Sequence, residues 1–203
     1  MVYLCVGAGH RGGWRTVESW NWPANSTVTV NCFANCPTVT LTLNGQAVGT
    51  RQLSAAEHGV LRWTLPYQPG VLQAVGSADG HELCRYTLQT AGVPARVALV
   101  PDVASLHANG KDVCQLEFRI LDAQGLPVPD ASPTVSFSLA GPGKILGLGN
   151  ADVDSVEDCK SNTHHAFQGR GLAILQTTTV PGDIMITATS PGLAPANVTL
   201  PSR

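Results

Sequence analysis

Three of the chain's four tryptophans, Trp14, Trp20 and Trp22, lie before residue 23. Flat indole faces are surfaces on which sugar rings stack, and they are equally anchors for packing. Trp20 and Trp22 are two positions apart, so on a strand both would face one side. With Asn21 between them and Tyr67 on a later turn, Trp14, Trp20 and Trp22 form a candidate carbohydrate-binding set, and Gln68 and Arg62 are further polar helpers. The competing expectation is a set of core or interface residues. A second candidate is the acidic stretch in which Asn150, Asp152 and Asp154 place oxygen atoms at alternate positions, with Glu157 and Asp158 beyond. Calcium favours clustered carboxylates and carbonyls on flexible loops, so a structural calcium ion is the one cofactor the sequence suggests. The stretch lacks the Gly and Glu positions of an EF-hand, and its competing reading is a solvated loop. His164 and His165 near Cys159 suggest zinc only weakly, because adjacent histidines on a strand point apart.

Nucleophilic catalysis finds no pattern here. There is no G-x-S-x-G elbow and no H-E-x-x-H pair. The acids Asp79, Asp122, Asp130 and Asp183 are scattered over turns, where Asx side chains bond nearby amides. No catalytic residue is assigned. The six cysteines, Cys5, Cys32, Cys36, Cys84, Cys114 and Cys159, include no C-x-x-C pair. Six allow about 15 pairings, among which sequence does not choose. The choice lies between disulfides and buried free thiols acting as small hydrophobes.

The elements that must position these residues read as strands. Residues 27–32 and 38–43 alternate polar and apolar, which buries one face. Asn44-Gly45 follows directly and is a strong hairpin signal because both residues tolerate positive φ. Returns at 46–50, 60–65, 71–75 and 83–88 are separated by the turns Pro66-Tyr67-Gln68-Pro69-Gly70 and Asp79-Gly80. Short strands at this rhythm suggest an immunoglobulin-like sandwich. Ala91-Gly92-Val93-Pro94 breaks the pattern, which restarts with strands expected at 96–100, 113–121, 134–139, 171–178, 183–189 and 197–200. The stretch 147–170 reads as a long polar loop. The expectation is an all-β chain of two tandem sandwiches, residues 19–91 and 92–203, preceded by a separate segment 1–18.

Composition agrees and excludes several classes. Gly (21) and Pro (14) are plentiful, and charged residues make only 13% of the chain, about half the usual share. That disfavours coiled coils and helical bundles. The net charge of −2 has no basic stripe, which argues against nucleic acid. No apolar run reaches transmembrane length, so no membrane partner is expected. The first residues lack a basic n-region and a sufficient apolar run for a signal peptide. Either the chain is cytoplasmic or its start is a cut in a longer, exported protein.

Several of these segments together resemble the C-terminal region of glycoside hydrolase family 2 enzymes of the β-galactosidase type. Ser19-Trp20-Asn21-Trp22-Pro23 resembles the family's H-W-N-W element, with Ser in place of His. Val39–Gly49 is similar to V-E-L-F-L-N-G-K-S-L-G, with Thr40 and Thr42 in place of Glu and Phe. Trp63–Val75 looks like W-x-V-P-Y-x-P-G-x-L-x-A-V, and Thr90-Ala91-Gly92-Val93-Pro94 like a T-A-G-x-P opening. Gly141–Asn150 and Ala166-Phe167-Gln168-Gly169 match G-P-G-x-I-x-G-x-G-N and A-F-N-G. The resemblance covers residues 19–203. It implies two accessory immunoglobulin-like sandwiches from a glycosidase whose catalytic glutamates lie on a barrel elsewhere. The implied partners are that barrel and an oligo- or polysaccharide. The alternative is a surface-adhesin tandem of similar sandwiches, with a structural or protein-binding role.

Overall fold

The computed structural model describes residues 1–10 and 13–203, and the side chains of residues 1–7 and 16–203. The chain divides into two compact units, Met1–Thr90 and Ala91–Arg203. Each is a β-sandwich, and among the described residues the only helical turn is the 3₁₀ segment Leu53–Ala55.

The first unit contains β1 (Val2–His10), β2 (Gly13–Val17), β3 (Thr27–Ala34), β4 (Thr38–Leu43), β5 (Gln46–Gln52), β6 (Val60–Pro66), β7 (Val71–Ala78) and β8 (His81–Gln89). Its sheets are ordered β2-β1-β3-β6 and β5-β4-β7-β8, with every pairing antiparallel. The alternation seen in the sequence becomes the inner face: Val28 and Val30 of β3 and Val39 and Leu41 of β4 are fully buried. Asn44 (φ 52°) and Gly45 (φ 78°) form the expected β4–β5 turn. The Asn44 side chain does further work, since its Oδ1 accepts from the Val71 amide at 2.8 Å and its Nδ2 donates to Pro69 O at 3.0 Å.

Residues 1–18 require a correction. They are not a separate segment: β1 lies inside the first sheet, hydrogen-bonded to both β2 and β3, and Val2, Leu4 and Val6 belong to the core. The alternation of Val2, Leu4 and Val6 is the inward face of β1, which sequence reading weighed only as an export signal.

The second unit contains β9 (Arg96–Pro101), β10 (Val113–Leu121), β11 (Thr134–Ala140), β12 (Gly143–Gly149), β13 (Thr163–His165), β14 (Arg170–Thr177), β15 (Gly182–Thr189) and β16 (Ala196–Ser202). The sheets run β12-β14-β10-β9 and β13-β11-β15-β16. Phe118 of β10 and Phe137 of β11 meet edge-to-face between them, with centroids 5.3 Å apart. The expected 147–170 loop is therefore shorter. β12 runs through the glycine-rich stretch to Gly149, and β13 occupies 163–165, leaving 150–162 as the loop.

Asp122 anchors the start of this unit. It is buried, and its carboxylate accepts from the amides of Gly92 (2.8 Å), Leu126 (2.8 Å) and Gln124 (3.0 Å). The Gly92 amide foremost, with Leu126 and Gln124, holds the carboxyl below its ordinary range against the cost of burial. A lowered folded-state value stabilises the fold above the unfolded carboxylate range near about 3.9, and that contribution disappears as pH falls through the lowered value. Asp122→Asn should therefore lower the thermal midpoint at pH 7 and flatten its fall between pH 5 and pH 2. Melting curves across that range provide the check.

Candidate functional site

The segment 19–26 that carries Trp20 and Trp22 is not a strand, and both indoles pack against the first core, Trp20 within it and Trp22 at its margin. Trp20 is only 1% exposed, inside the first core. Its indole Nε1 donates to Gln68 O at 3.0 Å, and its ring meets Tyr67 edge-to-face at 5.3 Å. The Trp20 carbonyl accepts from Thr90 Oγ1 at 2.8 Å and from Tyr67 Oη at 3.3 Å. Thr90 Oγ1 in turn accepts from the Gly70 amide at 3.0 Å. The aromatic segment, the 66–70 turn and the last residue of the unit are thus tied into one hydrogen-bonded knot.

That geometry removes Trp20 as a sugar platform, because a stacking face must be open and this one is enclosed. Trp22 and Tyr67 are half-buried against the same core, and Trp22 Nε1 donates to Ser19 O at 3.3 Å. Asn21 is placed by its own amide, which donates to Ser19 Oγ at 3.0 Å. The Trp14 side chain lies outside the described residues. Of the five candidates, the structure brings Trp20 and Tyr67 together, and it does so for packing.

In the second unit, the acidic stretch is built from local turns. Asn150 Oδ1 accepts from the Asp152 amide at 2.9 Å, and Asp152 Oδ1 accepts from the Asp154 amide at 3.2 Å. Among the described residues, no three His, Cys, Asp or Glu side chains converge in a way that could hold a metal ion. The residue that organises the loop is Glu157, named from the sequence only as a further acid beyond the calcium candidates. Its Oε1 lies 2.8 Å from His165 Nδ1 and its Oε2 lies 3.1 Å from His164 Nδ1. Burial pushes the Glu157 carboxyl up, and the His165 hydrogen bonds with the two nearby imidazoles outweigh it, so the group sits below its usual range. His164 is buried, and its ring is also 3.3 Å from Asn150 Nδ2. The loop is further pinned to β12 by the Leu148 amide on Cys159 O (2.8 Å) and by Lys160 Nζ on Leu146 O (3.0 Å).

Beside this loop, on the outer face of the β12-β14-β10 sheet, lies a groove of about 590 Å³ whose walls include Leu146, Leu172 and Ile174, with Glu117 and Arg170 at its polar positions. None of the described residues lining it is aromatic. It therefore lacks the flat surface on which a sugar ring stacks.

Comparison with known proteins fits this architecture. Residues 97–199 match the glycoside hydrolase family 2 C-terminal domain 5, and residues 25–84 match a family described as a domain of unknown function (DUF4982). The chain is 33% identical to the β-galactosidase BoGH2A of Bacteroides ovatus over 178 residues, covering 87% of this chain and 21% of that protein. It is 28% identical to a β-glucuronidase of Formosa agariphila, covering 92% of this chain and 19% of that protein. A solved glycosyl hydrolase family 2 member from Bacteroides cellulosilyticus superposes with a TM-score of 0.94 at 27% identity, over the whole of this chain and 28% of its own. The chain thus spans about a fifth of the length of the curated relatives it matches.

Proposed function

We propose that this chain, which belongs to glycoside hydrolase family 2 as a C-terminal accessory region, braces a catalytic domain and performs no hydrolysis itself. The observation that carries the reading is the alignment of nearly the whole chain with about a fifth of each curated relative. Two facts from the side chains support it. Trp20, one of the sugar-stacking candidates, is enclosed in its own sandwich, and Asp122, one of the acids expected on turns, accepts three backbone amides, whereas Asp183 lies in β15. The relatives are named as a β-galactosidase and a β-glucuronidase, so the proposed parent acts on β-linked galactosides or glucuronides. Because those relatives are glycosidases, they favour this reading over a surface-adhesin tandem.

The test has three arms. The chain alone, offered nitrophenyl β-galactoside and β-glucuronide, should release no nitrophenol above buffer, and turnover would overturn the accessory reading. Joined behind a family 2 catalytic region that has been stripped of its own C-terminal sandwiches, the chain should lengthen the half-life of activity at elevated temperature. An unchanged half-life would overturn bracing. Calorimetric titration of the chain with galactose- and glucuronate-containing oligosaccharides should give only dilution heat. A saturable isotherm abolished by Trp22→Ala would instead assign the half-buried indole to glycan binding.

A further inference from the structure

Cys36 and Cys84 are 48 positions apart, yet their sulfurs are 3.2 Å from each other. Cys36 sits in the bend where the chain leaves β3 for β4 and so passes from one sheet of the first sandwich to the other. It is 1% exposed. Cys84 lies on the edge strand β8, half-buried, opposite Gly76 of β7. Gly76 makes the approach possible: a Cβ there would stand 2.6 Å from Cys36 Sγ and 2.9 Å from Cys84 Sγ. The other thiols are arranged differently. Cys5, Cys32 and Cys114 are buried and Cys159 is exposed. Burial first, and then the neighbouring Cys36, Cys84 and Cys5, push the Cys32 thiol up to about 12. Burial first, and then Asp102, push Cys114 up to about 11.

We propose that Cys36 and Cys84 form an oxidisable dithiol site, which a small-molecule or protein disulfide converts into a bond tying the sheet-crossing bend to the edge strand of the first sandwich. The half-buried Cys84 reacts first. Its thiolate attacks one sulfur of the oxidant's disulfide, forms a mixed disulfide and expels one thiolate. Cys36 then loses its proton, and its thiolate attacks the Cys84 sulfur and expels the second thiolate. Two protein thiols are oxidised by two electrons, the oxidant's disulfide is reduced to two thiols, and the two protons released by the protein end on them. Closing so long a loop restricts the unfolded chain, which stabilises the folded one.

Equilibration of the folded chain with oxidised glutathione, followed by non-reducing peptide mapping, tests this with both proposed thiols in place. Cys159→Ser serves as background, to suppress cross-linking between molecules. The expected product is a Cys36–Cys84 linked peptide pair lighter by two hydrogens than the two free peptides. The tryptophan-detected melting midpoint should rise by roughly 10 °C on oxidation, return with dithiothreitol, and stay put in Cys36→Ser and in Cys84→Ser. A folded chain that retains both thiols at equilibrium, or that links Cys32 or Cys5 instead, would overturn the proposal.

Discussion

Trp20→Ala should cost the first sandwich about 3–5 kcal/mol, the range for truncating a buried large aromatic side chain. The indole is fully enclosed and belongs to the same core as Val28, Val30 and Leu72. Its loss leaves a cavity that the 66–70 turn cannot collapse into, because Pro66 and Pro69 fix their own φ. It also leaves Gln68 O without the indole donor it now has at 3.0 Å. For a unit of about this size each kcal/mol shifts the melting midpoint by roughly 4–8 °C, so a fall of about 15 °C or more is expected. Trp20→Phe separates the two contributions, since it keeps most of the apolar volume and loses only the hydrogen bond. It should cost about 1–2 kcal/mol. The measurement is well posed because all four tryptophans lie in the first unit, and Trp63 is buried there in the parent fold, so indole fluorescence follows that unit alone. A Trp20→Ala midpoint within 3 °C of the parent would show that the indole is not a core residue. Trp22→Ala, which removes a half-buried ring, should shift the midpoint much less.

The contrast between those two tryptophans shows where sequence reading stops. Spacing of two implies a common face on a strand, and residues 19–26 form no strand. What fixes Trp20 is a set of contacts to residues about 50 and 70 positions away, Gln68 and Thr90, and no local pattern encodes those. The hairpin at Asn44-Gly45 was legible because its cause is local: two residues that accept positive φ, flanked by alternating strands. β12 was missed because its glycines blur the alternation, and a register shift between Ile145 and Gly147 breaks its period. The six cysteines posed a pairing problem that composition cannot resolve. The approach of Cys36 to Cys84 depends on Gly76 in the neighbouring strand β7, and that is visible only once the register is known. The resemblance motifs fared better because several are turns. Gln168 (φ 52°) and Gly169 (φ 73°) make a tight turn where the family motif reads Asn-Gly, the pair best suited to those angles.

In the second sandwich, a large effect is expected at Gly171. Gly171 faces the core from β14, directly opposite Phe118 of β10, and a Cβ placed there would overlap the edge of the Phe118 ring and stand 2.9 Å from Gly149 O. The ring is held from its other side by Phe137, so it cannot swing clear without breaking the edge-to-face pair. Gly171→Ala should therefore destabilise by about 1–3 kcal/mol through overpacking, even though alanine is the better strand residue by about 0.5–1 kcal/mol. The cause is testable by coupling. Phe118→Leu alone removes ring contacts and should cost about 1–3 kcal/mol. In the double variant the space vacated by the ring receives the new methyl group, so the two costs should fall short of their sum by about 1 kcal/mol or more. In urea unfolding, far-ultraviolet circular dichroism follows both sandwiches and indole fluorescence only the first, so the transition that moves in the former and not in the latter is the second unit's. Strict additivity of the two substitutions would mean that the clash with Phe118 is not what excludes a side chain at residue 171.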